Sequence, residues 1–285
     1  MGLFTRKWQF QKQASSAKSR RDLLGAYAKA VLYTTRNGSF LTPVEDIEIG
    51  KRIGENGHYD LQELEEIDKF LDGDTVVFVV GTHIGLLLVP IAKKVKAVVG
   101  YEANPNTYEL VGLNIALNHL KNTRLFNYAV GHTAGEVDFY LNRVNSGGSK
   151  IKPQKDQFMY RFDNPETVTV PTIGIDEHVS AEELPQADVI IMDIEGAEFY
   201  ALKGMQNILS ASKALYIEFI PHHLQNVSAV TTEDFLALIL PHYNNARLMK
   251  QKEKTYDLEK ELSLFTAAIG SMVKNNKDDN ILFYK

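Results

Sequence analysis

An α/β fold built on a mostly parallel sheet, with helices on both faces, is predicted by three features of the chain. Residues 76–80 form an unbroken apolar run, VVFVV, of the kind buried on both faces of a sheet. Further apolar runs at 97–101 and 187–192 recur after segments with helical spacing. The run at 76–80 ends in a glycine turn, Gly81-Thr82-His83-Ile84-Gly85, that opens the next helical segment.

The chain has 285 residues, 44% of them hydrophobic, which suits one large domain with a substantial core. We divide it into an N-terminal helical extension, 1–70, and a main domain, 71–285. Residues 1–21 carry Arg6, Lys7, Lys12, Lys18, Arg20 and Arg21 among Phe4, Trp8 and Phe10, with no acidic residue. That pattern reads as a packing arm or as a helix that docks on a membrane surface or partner. Leu23, Leu24, Tyr27, Ala30, Val31 and Tyr33 predict a helix over 22–34. Asp60, with Glu63 three residues on, predicts a capped helix over 60–71. A strand at 75–80 then leads to a helix at 85–94 that tolerates Pro90 near its start. A strand at 97–101 precedes a helix at 106–120, with Leu110, Leu113, Ile115, Leu117 and Leu120 as its apolar positions, and a strand at 124–130. Segments 136–141 and 167–173 alternate as half-exposed strands around a long polar loop. A strand at 187–192, a helix at 199–209, a strand at 215–220, a helix at 232–240 and a strand at 281–284 complete the count.

The net charge of -5 gives no general attraction to phosphate backbones, so no nucleic-acid partner is expected. With no cysteine there is no disulfide, thiolate metal site or cysteine nucleophile. The opening MGLFTRKWQF lacks the apolar core of a signal peptide, and no stretch approaches the ~20 apolar residues of a membrane span. Arg6 stands where a myristoylation signal places Ser or Thr. A cytoplasmic protein with no integral membrane segment is therefore expected; oligomeric state is not written in these features.

A strand that ends in a glycine turn and opens a helix presents unpaired backbone N–H groups and lets a ligand approach the main chain. An acid at the end of the next strand, Glu102, is placed to accept hydrogen bonds from the hydroxyls of an adenosine ribose. A dinucleotide site needs G-x-G-x-x-G for its pyrophosphate, and here Thr82-His83-Ile84 fill the middle of the turn. A cofactor with adenosine at one end and an amino acid at the other fits better, which describes S-adenosylmethionine. The cofactor-side candidates are Gly81, Thr82, His83, Gly85, Glu102, Ala103, Asn104, Asn127 and Asp193.

Four ordered segments, 77–85 (VFVVGTHIG), 101–105 (YEANP), 114–118 (NIALN) and 192–198 (MDIEGAE), resemble those of the FkbM family of methyltransferases. Weaker similarity reaches from about 50 to 284. The resemblance implies a Rossmann-like class I methyltransferase fold, a seven-stranded sheet with one antiparallel strand, S-adenosylmethionine as methyl donor, and a hydroxyl or sometimes an amide as acceptor. The chain departs from the family at Val79, where the pattern has aspartate near the amino-acid end of the cofactor. A charge-assisted hydrogen bond there contributes about 1.5–3 kcal/mol. The rival to an enzyme is accordingly an inactive methyltransferase fold kept as a binding module; a nicotinamide oxidoreductase is disfavoured by the missing glycine.

Methyl transfer to a hydroxyl or amide needs a positioned acceptor and a base. Asp193, Glu195 and Glu198 follow one apolar strand, and Glu218 ends the next, ahead of Pro221-His222-His223. The catalytic candidates are Asp193, Glu195, Glu218 and His222, with His223 as the alternative histidine. Glu198 reads equally as a helix N-terminal complement. No metal is expected: the carboxylates suit Mg2+ or Ca2+ only with a second cluster, and adjacent histidines in an extended loop point apart. Lys150, Lys152, Lys155 and Arg161 in the long loop suggest a lid that favours an anionic or carrier-bound acceptor. The expected partner is thus a small-molecule, carrier-bound or peptide acceptor.

Overall fold

The structure, a computed structural model, describes residues 3–155, 157–251 and 254–285, without the side chains of residues 3–7 and 251. Gly2 and the side chains of Phe4, Arg6 and Lys7 lie outside the described residues. Helix α1, Leu3–Leu24, holds the basic arm. It stops at Gly25, whose φ of +86° closes the last turn with its N–H on the Arg21 carbonyl. The helix expected over 22–34 is therefore wrong. Strand β1, Ala30–Thr34, pairs antiparallel with β2, Ser39–Pro43, through a turn at Asn37-Gly38. That dipeptide is a hairpin signal, and it outweighs the apparent helical spacing before it.

Helices α2, Ile49–Asn56, and α3, Leu61–Asp68, follow. Asp60 precedes α3 in a left-handed conformation (φ 40°) and makes no side-chain cap, so the expected capping box is absent; its carboxylate pairs with Arg52 instead.

Strand β3, Val76–Val80, is buried throughout and sits in the middle of the main sheet. Phe78 and Val80 pack into the core on one face, Val77 and Val79 into the core on the other, as period-2 alternation requires. After α4, Leu88–Ala92, shorter than the expected 85–94, come β4, Ala97–Tyr101, and α5, Pro105–Leu117. Helix α5 buries Thr107, Val111 and Asn114, whereas Leu113 and Leu117 are exposed. Its inner face is polar for a reason: Asn114 Oδ1 accepts from Leu41 N at 2.7 Å and Asn118 Oδ1 from Ser39 N at 3.1 Å, so two asparagines one helical turn apart satisfy the free edge of β2.

The strand expected at 124–130 divides into β5, Thr123–Phe126, at the edge of the main sheet, and β6, Ala129–Val130, in a second sheet. Strand β7, Gly135–Leu141, leads into the segment expected to be a lid. That segment is folded: it contains a turn at Ser146–Gly148, strand β8, Lys150–Ile151, paired with β7, and a turn at Phe158–Tyr160 before β9, Glu166–Ile173. The second sheet has the order β6-β9-β7-β8.

Helix α6, Ile175–Ala181, and strand β10, Val189–Met192, precede a helix pair, α7, Glu198–Lys203, and α8, Gln206–Ala211. The expected single helix breaks at Gly204, where a Cβ would meet the Gly131 carbonyl oxygen at 2.2 Å. Strand β11, Ala214–Phe219, ends at a one-turn helix α9, Pro221–His223, and α10, Thr232–Ala237, starts from a Thr231/Asp234 capping box. Three further elements had no counterpart in the sequence reading: β12, Asn245–Leu248, β13, Thr255–Asp257, and the 18-residue α11, Leu258–Asn275. Strand β14, Asp279–Tyr284, closes the chain.

The main sheet runs β13-β12-β14-β11-β10-β3-β4-β5. Its four central pairings, β11·β10, β10·β3, β3·β4 and β4·β5, are parallel, and β14 lies antiparallel to both β11 and β12. These seven strands give the class I methyltransferase topology, and β13 adds a short eighth at the edge. Strand order reverses between β3 and β10, so the carboxyl ends of β3, β4, β10 and β11 open onto one crevice. Among the described residues no helix is long and apolar enough to cross a membrane.

Candidate active site

The crevice is a cleft of about 460 Å³ between the carboxyl ends of the central strands, segment 48–63 and the second sheet. Gly81, Thr82, His83, Glu102, Ala103, Asp193, Glu195 and Glu218 all line it; Gly85, Asn104, Asn127 and His222 do not. The cleft therefore gathers most of the residues singled out from sequence and gives the remainder other work. Gly85 adopts φ +89° at the start of the following turn. Asn104 caps α5 by accepting from Asn106 N. Asn127 Nδ2 donates to the carbonyls of Glu102 (2.7 Å) and Ala103 (3.3 Å), holding that strand end in place.

At the turn, the expectation of unpaired amides fails. The N–H groups of Gly81 and Thr82 both go to the Tyr101 carbonyl, that of His83 goes to Glu102, and that of Gly85 to Thr82. What the glycine supplies is proximity. At Gly81, φ is +87° and a Cβ would stand 1.9 Å from the Asp193 carbonyl oxygen, so no other residue lets β3 and β10 close at this point.

Glu102 is buried with three donors: Asn104 N (2.9 Å) and Thr107 Oγ1 (2.9 Å) on Oε1, and His83 N (2.6 Å) on Oε2. Burial pushes its carboxyl up, and the donors pull it part of the way back. A carboxylate oxygen offers two lone pairs, so Oε1 is full and Oε2 keeps one acceptor position.

His83 has φ +49°, a left-handed conformation that histidine, with asparagine and aspartate, adopts more readily than most other residues. Its Nε2 meets Ser146 Oγ at 2.6 Å, and Ser146 Oγ and N both donate to Asp46 Oδ2. Asp46 is fully buried and its Oδ1 accepts from Ile49 N at 2.8 Å. Burial lowers the affinity of His83 for a proton. No local motif announced this chain: Asp46 and Ser146 are 100 residues apart.

At the other end, Asp193 follows β10 and faces open cavity. Desolvation within the cleft, and then Glu195 and Glu198 beside it, raise its carboxyl above the ordinary aspartate range, although the side chain stays exposed to the cavity. Glu218, at the end of β11, is also raised well above the ordinary glutamate range, by burial and then by Asp193, with which it shares a hydrogen bond. Glu198 is buried and accepts from Ile194 N (3.0 Å) and Gly196 N (3.2 Å), so it braces its own turn.

Lys150 is drawn into this cluster. Its Nζ lies 2.8 Å from Glu195 Oε2 and 3.4 Å from His223 Nε2, with only 5% of the side chain exposed. Its neighbour Lys152 pairs with Asp138 on the surface. Neither of these two cations reaches out to an anionic acceptor, as the loop composition had suggested; Lys155 and Arg161, the other two cations of the loop, are exposed. His223, not His222, joins the carboxylates: it is buried, its Nδ1 is 3.5 Å from Glu195 Oε2, and burial and then Lys150 hold it neutral. His222 packs against Tyr160 at 6.3 Å. The two histidines sit on a helical turn rather than an extended loop. The ground for setting a metal aside also changes, because folding creates two donor groups, Glu195 with Glu218 and His223, and Asp193 with Glu198 and Glu218, each within 4.8 Å. In the first, the Lys150 ammonium already supplies positive charge to Glu195.

Comparison with known proteins is consistent with this geometry. Residues 80–256 match the family described as Methyltransferase FkbM domain. The hexuronic acid methyltransferase AglP of Haloferax volcanii is 26% identical over 156 residues, 54% of this chain and 58% of that protein. The 2-O-methyltransferase NoeI of Sinorhizobium fredii is 29% identical over 115 residues, 37% of this chain and 46% of that one. The chain thus spans about half the length of the curated relatives it matches. A crystal structure of methyltransferase FkbM from Methylobacillus flagellatus KT gives a TM-score of 0.43 at 18% identity, over 75% of this chain and 44% of that one.

Proposed function

Because the chain belongs to the FkbM methyltransferase family, we propose that it is an S-adenosylmethionine-dependent O-methyltransferase acting on a hydroxyl of a sugar, natural-product or peptide intermediate. The observation that carries this reading is the pairing of Glu102 and Asp193 at the two ends of one cleft wall, with the bare backbone of Gly81 between them. Glu102 keeps one acceptor position for a ribose hydroxyl. Four of the five turn amides, those of Gly81, Thr82, His83 and Gly85, are spent internally, which suits a cofactor without a pyrophosphate and argues against a dinucleotide.

Bound there, S-adenosylmethionine supplies an electrophilic methyl group. The protein's part is to hold the acceptor oxygen in line and take its proton. Asp193, open to the cavity and raised in pKa, takes that proton when ionised; Glu218, hydrogen-bonded to it, orients the carboxyl. Glu195 is held by Lys150 and shapes the field around the pair. Carboxylates crowd this half of the cleft, so the acceptor enters by an uncharged, hydroxyl-bearing end. Val79 is 2% exposed and contributes no charge, which keeps the inactive-module reading in play. Calorimetry with S-adenosylmethionine on the purified protein decides between them. Saturable binding at micromolar to submillimolar ligand is expected, and no heat at millimolar ligand overturns the enzyme.

A further inference from the structure

The cofactor half of the cleft lacks the carboxylate expected two residues before Gly81, yet it contains a buried acid that reaches the same turn indirectly. Asp46 gives Oδ1 to Ile49 N and Oδ2 to both Ser146 N and Ser146 Oγ. A serine hydroxyl has one proton. Ser146 spends it on Asp46, so at the 2.6 Å contact with His83 the oxygen can only accept, and His83 Nε2 must carry the hydrogen. A neutral ring protonated on Nε2 has its lone pair on Nδ1. Burial holds the ring neutral. The Cε1–Nδ1 edge faces Gly147, a cavity-wall residue whose added Cβ would lie 3.7 Å from either atom. His83 has a left-handed backbone, and its ring reaches Ser146.

We propose that His83 is a cofactor-binding residue whose tautomer is fixed by Asp46 through Ser146, so that Nδ1 accepts a hydrogen bond from the ammonium group at the amino-acid end of the cofactor. The inference rests on the proposed use of S-adenosylmethionine. The orienting logic is that of any base whose far nitrogen is held by a third group. Here the far nitrogen is Nε2 and the orienting acid is two residues removed. Glu102 sets the ribose end on the β4 side, and His83 gives its own N–H to Glu102, so one residue links both ends of the ligand. Val79 lines the cleft but, as an apolar side chain, supplies nothing to an ammonium group.

The test uses two ligands that differ in the group named. S-adenosylmethionine carries the amino-acid end; 5′-methylthioadenosine lacks both it and the sulfonium charge, so S-adenosylhomocysteine, a neutral thioether that keeps the amino-acid end, is measured alongside and is expected to follow S-adenosylmethionine. His83→Gly keeps the positive φ without strain and removes the ring. It is expected to weaken S-adenosylmethionine by about 10- to 100-fold while changing 5′-methylthioadenosine less than about twofold. Ser146→Ala breaks the relay and leaves the ring, and its loss for S-adenosylmethionine falls between wild type and His83→Gly. Long-range 1H–15N spectra, with His83 assigned by its loss in the variant, should show the Nε2–H tautomer in wild type and a mixture in Ser146→Ala. Equal loss for both ligands, or an Nδ1–H tautomer in wild type, overturns the proposal. A wild type that binds neither ligand overturns the methyl-transfer reading and the ligand named here, whereas the tautomer is read without any ligand.

Discussion

The two halves of the cleft are built on opposite plans. On the β3–β4 side Glu102, the carboxylate that lines the cleft there, is matched by three donors that lie within 19 residues of it in the chain. On the β10–β11 side Asp193, Glu195, Glu198 and Glu218 converge with one ammonium group, Lys150, to offset them. The first half is hydrogen-bonded within itself before any ligand arrives, with one acceptor position of Glu102 left over. The second carries charge that the fold does not balance, and so responds to protons and to substitution. A half that only holds a ligand gains from the first plan; a half that moves a proton gains from the second.

The largest expected effect falls on the first half. Gly81→Ala places a methyl group 1.9 Å from the Asp193 carbonyl oxygen at a φ of +87°. Both the left-handed strain and the overlap are destabilising, together by about 3 kcal/mol or more. Urea unfolding and calorimetry should show lost stability and lost cofactor binding together. An alanine variant of wild-type stability would mean that β3 and β10 do not close as described.

Next comes the charged half. Lys150→Met leaves Glu195 among carboxylates with no cation, at a cost of about 3 kcal/mol, the low end for a broken buried pair because Glu195 keeps 18% of its side chain exposed. Adding Glu195→Gln to the same chain should restore more than half of that loss. Independent, additive effects in this double-mutant cycle would show that the pair is not coupled.

These halves also differ in how far the sequence reveals them. The turn, Glu102 and the apolar strands around them were legible because each signal is local: a strand, a glycine, and an acid at the end of the next strand. The carboxylates after β10 were legible for the same reason. Their partners were not. Lys150 reaches Glu195 across 45 residues and His223 across 73, and Asp46 reaches Ser146 across 100. Nothing in the spacing of Lys150 and Lys152 says which one turns inward. The missed helix α11 buries Phe265, Ile269 and Met272 but leaves Leu262 and Leu264 exposed, so its apolar residues do not mark one face, and β12 and β13 are too short to show alternation. Strand β1 was read as the end of a helix because its apolar residues fit both periods over so few positions.

A third prediction concerns pH. Glu218 binds its proton more tightly in the folded state than in the unfolded chain, by burial and then by repulsion from Asp193. The folded state therefore carries more protons, and stability falls as pH rises from the ordinary glutamate value toward the raised one. Glu218→Gln imitates the protonated form. It should raise Tm by roughly 2–5 °C at pH 8 and change it little at pH 4. A variant that melts lower than wild type at pH 8 would mean that Glu218 is ionised and stabilising there, against the crowding seen in the cleft.

The smallest effect separates two lysines of one loop. Lys152 pairs with Asp138 at 3.1 Å, as Lys150 does with Glu195 at 2.8 Å, so the two contacts look alike by distance. They differ in solvent: the side chains of Lys152 and Asp138 are 54% and 47% exposed, against 5% and 18% for the buried pair. In water the Coulomb gain is screened and offset by the entropy of holding two long side chains, so Lys152→Ala should change stability by less than about 0.5 kcal/mol. The same measurement in 0.1 M and 1 M salt sharpens the contrast. Added salt should erase what little Lys152 contributes and leave the Lys150→Met loss nearly intact, because screening acts mainly on exposed charges. If both losses shrink equally with salt, Lys150 is reached by solvent, and the charged half of the cleft is wetter than its packing indicates.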